Sequence, residues 1–421
     1  MKNRLLSFIA LWVLLIGCST VSCEDNIDES YCPEIDSTKK PLPSPSIKEI
    51  NIFIDASGSM SGFMPATEPS TEFQILIPDI ISKLETEFQG KVNIYPIYNS
   101  NSPLSPLPIN DTQNKIINGT LAQKAGDTYI PTMLDSIYNG YFRKDAVNIF
   151  LSDCIYSPKN IQKKQAEQAT REIRETISGY TKDYFTSVFC VFSQFNTIKN
   201  SPYYIIVFGK PENNHEVEYL IKNTINNKNQ QFQQVNFGLQ YNRPFYSVLP
   251  YTEISPNCIA NPCANLNNAF ANVSVQDWKE DSDTLSFWVA IDLTDFPSYA
   301  TTLAYLDSNL VLTMQKGNAT IIEKTLIAPK ELSSDDKEIA TKATHFIHIR
   351  ILSLEDLVTT IQLKLNYSTP NWINTLNQTN SEKNGEKTFG LERLMNGFAE
   401  AYKQGKPTYF FNDLNISLIK Q

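Results

Sequence analysis

Histidine is scarce in this 421-residue chain, with only three, and none stands beside a recognisable nucleophile elbow. A serine hydrolase would therefore lack its base. His345 and His348 lie three apart on a strand-like run, where side chains alternate faces, so the two cannot converge on one zinc ion. His215 stands in the polar stretch P-E-N-N-H-E and reads as a solvated helix start. Cysteine is also sparse: seven residues are too few for a disulfide scaffold, though they suit a few local clips in an oxidising compartment. A basic surplus is absent too. With a formal charge of -9 and a pI near 5.1, the chain is not expected to bind nucleic acid. No stretch after the N-terminal leader is long and apolar enough for a transmembrane helix, and no internal repeat is visible.

The leader itself reads Met-Lys-Asn-Arg, followed by a mostly apolar 13-residue run over 5–17 that ends L-I-G-C at Cys18. It is too short to span a bilayer comfortably. It resembles a bacterial lipoprotein signal, which implies that residues 1–17 are removed and that Cys18 carries the lipid as the first mature residue. Loss of Lys2 and Arg4 takes the formal charge from -9 to -11. Residues 18–46 contain E-D-N-I-D-E and P-L-P-S-P-S, cannot bury much apolar surface, and are expected to form a flexible tether. The acidic residues soon after Cys18 resemble export signals of surface lipoproteins in some Gram-negative bacteria. The implied location is the bacterial cell envelope, lipid-anchored in the outer membrane and facing either the periplasm or the outside.

Residues 47–227 alternate strand-like runs (49–54, 92–98, 146–152, 185–192, 203–208) with helix-like ones (72–88, 131–141, 160–178, 216–225). This order predicts an α/β domain with a mostly parallel central sheet and helices on both faces. The Asn- and Gln-rich stretch 223–234 reads as a linker. Residues 228–421 change character: 285–293, 310–314, 344–351 and 360–365 have strand composition, and two of these runs alternate almost strictly. A β-rich, sandwich-like domain with a C-terminal helix over 388–402 and a last strand over 414–419 is expected. Within it Cys258 and Cys263 bracket the turn-like I-A-N-P, and a disulfide is expected between them. Cys23 and Cys32 could pair within the tether, and Cys154 and Cys190 read as buried free thiols.

Three short motifs carry the chemistry. Asp55, Ser57 and Ser59 form D-A-S-G-S at the end of the run 50–54, where three oxygen-bearing side chains at alternating positions can converge on a hard cation. Thr128 follows a Gly-Asp turn in G-D-T-Y-I-P, and Asp153 ends the buried run I-F-L-S. In open α/β sheets ligands bind outside the carboxyl ends of the strands, where these motifs fall. In this order they resemble the metal-ion-dependent adhesion site of von Willebrand factor A domains, over about residues 47–225. The resemblance implies a Rossmann-like fold binding Mg²⁺ or Mn²⁺. It also implies that Ser57 and Ser59 contact the ion directly, Thr128 joins when ligand is engaged, and Asp55 and Asp153 act largely through water or hydrogen bonds. Cys154 stands where that family usually has glycine.

The resemblance further implies binding rather than catalysis. The partner would be a protein or other carboxylate-bearing ligand that shares the cation, in adhesion or complex assembly. Two other readings stay open: a structural envelope component whose metal only stabilises its loops, and a glycan-binding lipoprotein acting through the β-rich domain.

Overall fold

The structure, a computed structural model, describes residues 31–34, 40–98, 104–122, 129–155, 163–179, 181, 183–279, 284–379, 385–403 and 408–421. Cys18, Cys23 and Thr128 lie outside them. The chain is a mixed α/β protein followed by a β-rich region.

The first sheet contains β1 (Glu49–Asp55), β2 (Val92–Ile97), β3 (Ala146–Ser152), β4 (Phe185–Phe195), β5 (Ile198–Gly209) and β6 (Phe232–Phe237), in the spatial order β2-β1-β3-β5-β4-β6. β1 and β3 are buried nearly throughout, covered on both faces, and their one inner polar pair, Asn51 and Asn148, is hydrogen-bonded across the strands. One face packs on α1 (Glu72–Glu87), α2 (Ile109–Ile117) and α5 (Pro211–Asn227), and the other on α3 (Ile130–Tyr141) and α4 (Lys163–Ser178). β1 pairs in parallel with β2 and β3, but the three remaining pairings are antiparallel, which corrects the expected mostly parallel sheet. The cause is local. Phe195 pairs with Ile198 across a two-residue turn whose Asn196 has φ +52°, and strands joined so tightly can only run antiparallel. β5 therefore folds back between β3 and β4.

The expected linker is also part of this sheet. α5 continues to Asn227 and β6 starts at Phe232, because Gln234 and Asn236 send their carboxamides to the buried carboxylate of Glu218 on α5. A polar sequence is thus buried as a strand through a specific acceptor rather than through apolar surface.

The β-rich region adds β7 (Tyr246–Val248), β8 (Cys258–Cys263), β9 (Ala269–Val275), β10 (Leu285–Ile291), α6 (Leu303–Asn309), β11 (Leu310–Met314), β12 (Gly317–Thr325), α7 (Ser334–Thr341), β13 (His345–Leu354) and β14 (Val358–Asn366). After α8 (Trp372–Leu376), the short pair β15 (Asn377–Gln378) and β16 (Thr388–Phe389), and α9 (Leu391–Lys403), the chain ends in β17 (Tyr409–Lys420). A four-stranded sheet, β12-β13-β10-β7, faces a five-stranded one, β11-β14-β17-β9-β8. Alternate residues of both, such as Phe287, Ile349, Leu363 and Ile416, fill one shared core.

The C-terminal helix does not belong to this sandwich. α9 buries Leu391, Leu394, Met395 and Phe398 against the first sheet beside α4, and a Cβ on Gly397 would come within 2.6 Å of Ile173. The first layer is therefore completed by a segment that follows most of the second. Phe410, at the start of β17, marks the joint: Tyr241, Tyr299, Tyr305 and Tyr367 ring it at 5.5–6.3 Å, and Tyr241 also meets Phe185 edge-on and His215 at a tilt in the first layer.

The expected Cys258–Cys263 disulfide is not formed. These residues are the two ends of β8, and an extended six-residue strand holds its ends well beyond the roughly 7 Å Cα limit for a disulfide. Cys263 pairs instead with Cys32, at a Cα separation of 5.7 Å, which also removes the Cys23–Cys32 option; Cys154, Cys190 and Cys258 are buried free thiols. The described part of the expected flexible tether is docked. Besides the disulfide, Asn265 donates to the Pro33 carbonyl, Asn242 accepts from the Leu42 amide and Asn213 accepts from the Ser46 amide. No helix among the described residues is long and apolar enough to cross a membrane.

Candidate metal centre

Parallel pairing of β1 with β3 sets Ile54 beside Leu151, so Asp55 and Ser152 end their strands at the same level and Asp153 lies one residue further. Asp55, Ser57 and Asp153 are all buried, and Ser59 is half-buried. One Asp55 oxygen accepts from the Ser57 amide at 3.0 Å and the other from the Ser152 hydroxyl at 2.8 Å. The Ser57 and Ser59 hydroxyls are 3.0 Å apart. Asp153 accepts from the Ile155 amide at 3.1 Å through Oδ1, while its buried Oδ2 has no hydrogen-bond partner.

The electrostatics are those of two carboxylates sharing a dry site. Burial raises the Asp55 carboxyl, against the pull of Ser57 and Ser152. Burial, and then the charge on Asp55, raise Asp153 well above the carboxylate range, against the Ile155 amide and Ser59 hydroxyl. Two buried carboxylates that disfavour each other's charge, with an orphaned acid oxygen and two adjacent hydroxyls, fit a hard divalent cation. Among the described residues no three His, Cys, Asp or Glu side chains converge on an ion position, so the donor set relies on hydroxyl oxygens. Such a set suits magnesium or manganese better than zinc.

Sequence elements hold this geometry. Met60, Phe63 and Met64 bury the turn that follows Ser57, and the Ser61 hydroxyl closes it on the Gly58 carbonyl at 2.7 Å. The β4–β5 hairpin clamps its far end. The Asn196 amide donates to the Gly62 carbonyl at 2.9 Å, and a Cβ on Gly62 would fall 2.4 Å from the Phe195 ring. Cys154 has φ +53°, a left-handed conformation that glycine adopts without strain, and its amide is held by the Ser152 hydroxyl at 2.9 Å.

Ser152 and the Gly62–Phe195 contact were not among the expected site residues. Ser152 was visible as a hydroxyl directly before Asp153. The clamp needs the hairpin register, which no motif announces.

The histidines are structural. His345 is buried and bonded to the Thr301 carbonyl at 2.7 Å, while His348 stacks on Trp288 on the opposite face of β13. His215, expected in solvent, instead reaches the Gln240 carbonyl at 3.0 Å and lies 3.8 Å from Glu218. Compared with known proteins, the chain matches no family model, no curated protein and no solved structure.

Proposed function

We propose that the protein is a cell-envelope lipoprotein with a von Willebrand factor A-like domain that binds a carboxylate-bearing partner, most simply an acidic protein side chain, through a divalent cation. The observation that carries this reading is the pairing of Asp55 with Asp153 around an unpartnered buried carboxylate oxygen, beside the Ser57 and Ser59 hydroxyls. Cys18 would tether the molecule to the membrane, and Thr128 would join the site when a partner engages.

When bound, Mg²⁺ or Mn²⁺ supplies a Lewis-acidic contact that still accepts an outside oxygen, because few direct carboxylates satisfy it. Ser57 and Ser59 would offer their hydroxyls. Asp55, held by the Ser57 amide and Ser152, would provide charge without turning away. Asp153 would balance the ion from the β3 side, its backbone set by Cys154. The resemblance to the adhesion site implies binding rather than catalysis, and the reading follows it.

Capture from envelope extract tests it, using immobilised protein in Mg²⁺ or in EDTA. A partner retained in Mg²⁺ by the wild type, released by EDTA and not retained by Asp55→Ala is the expected result. Equal retention by both proteins in EDTA would contradict the shared-cation reading.

A further inference from the structure

The outer face of the five-stranded sheet carries a groove of about 420 Å³, within the roughly 300–1,000 Å³ range of small-ligand sites. Its floor is a row of side chains in register across three strands: Thr313 of β11 pairs with Gln362 of β14, and Gln362 with Asn415 of β17, with Thr360 beside them. Their neighbours Ile361, Leu363, Leu414 and Ile416 fill the sandwich core, so this row points outward. One wall is Pro33 and Glu34. That wall is fixed, because the adjacent Cys32 is bonded to Cys263 and the Pro33 carbonyl accepts from Asn265.

The chemistry of the floor selects the ligand. Hydroxyls and carboxamides both donate and accept hydrogen bonds, as the hydroxyls of a sugar do. Thr313, Thr360, Gln362 and Asn415 are exposed or half-buried and present these groups along one line, with Gln315 extending it. Among the described residues no Lys or Arg lines the groove and the charge on its lining is the Glu34 carboxylate, so phosphate, sulfate and acidic peptides are disfavoured.

We propose that this groove is a binding site for a neutral polyhydroxylated ligand, an oligosaccharide, preformed by the Cys32–Cys263 disulfide. It is independent of the cation site and makes the β-rich region a second recognition surface. Because its wall is in place before binding, less ordering entropy opposes the complex.

Titration calorimetry in EDTA, with cellohexaose, maltohexaose and chitohexaose at millimolar concentration as probes, tests the proposal. At least one probe is expected to bind. Gln362→Ala and Asn415→Ala are each expected to weaken it by about tenfold, the cost of one or two lost hydrogen bonds, with melting temperature unchanged. Reduction of the disulfide, with folding checked by circular dichroism, is expected to weaken binding as well. No heat with any probe, binding that requires Mg²⁺, or binding indifferent to both substitutions would overturn it.

Discussion

At the residue scale the candidate centre depends on neighbours that never touch a cation. Ser152 holds Asp55 and the Cys154 amide with one hydroxyl, and Gly62 leaves room for the Phe195 ring. Gly62→Ala would press a methyl into that ring, so it is expected to cost about 1–3 kcal/mol and to weaken cation binding along with stability. Chemical denaturation with and without Mg²⁺ measures both. A second residue-scale prediction concerns Glu218 and His215. Burial alone would raise the Glu218 carboxyl, but His215, Ser187 and Gln234 outweigh it and leave it below its ordinary 4.5. Burial alone would lower His215, but Glu218 and the Gln240 carbonyl leave it above 6.5. The depressed acid stabilises the fold above pH 4.5 and loses that effect as pH falls through its folded value. The raised imidazole stabilises it below pH 6.5 and loses that effect as pH rises through its own. The pair's own contribution to the melting temperature is therefore expected to be largest between these limits and to fall on the alkaline side, so that the alkaline fall is shallower in His215→Asn; what remains comes from Asp153, whose raised carboxyl also costs stability as it ionises.

At the element scale the decisive pieces are the β4–β5 hairpin and α9. The hairpin reaches past the sheet to grip the metal-site turn, and α9 seals the face that α3 and α4 leave open. A chain ending at residue 227 would lack both β6 and α9, exposing Phe208 and the Val188 and Ile206 side chains that they cover. Such a chain is expected to show a weakened near-ultraviolet dichroism spectrum and to bind hydrophobic dye, whereas the whole chain does neither. The elements around Asp55 and Asp153 were legible because their strands are mostly apolar runs, interrupted only by Asn51 and Asn148, with the acids at their ends. α9 was legible as an amphipathic helix over 388–402, but its place was not. Its apolar stripe would fit any open face, and long-range contacts select this one: the packing of Gly397 on Ile173, the Tyr402–Thr186 hydroxyl pair and the Phe398–Phe237 stack. The strand at 232–237 was misread because burial of Gln234 and Asn236 depends on Glu218, sixteen and eighteen residues earlier, and no periodicity records a hydrogen-bond acceptor. Likewise Cys32 and Cys263 are 231 residues apart, and local spacing pointed to the nearer pair.

At the scale of the whole molecule, the chain weaves its two layers together. The N-terminal segment is bonded to β8 before it enters β1, and the C-terminal segment visits the first layer before β17 returns to the sandwich. Reducing the Cys32–Cys263 bond is expected to cost about 2–5 kcal/mol, since it frees a long loop in the unfolded chain, and to lower the melting temperature of the whole protein in one step. Two transitions instead of one would show that the layers unfold separately. The candidate cation site and the groove then act as distinct surfaces on one body.

The melting temperature of residues 31–421 in Mg²⁺, Mn²⁺ or EDTA, for wild type and Asp153→Asn, tests whether a cation binds between Asp55 and Asp153. A ligand that binds only the folded state stabilises it by about 2.7 kcal/mol at a hundredfold its Kd. In the wild type a rise with metal is expected that grows with the logarithm of concentration. In Asp153→Asn that rise should vanish, while the melting temperature in EDTA should match or exceed the wild type's, because one of two repelling buried carboxylates is gone. A wild type indifferent to millimolar metal, or a variant that keeps the full response, would contradict cation binding there.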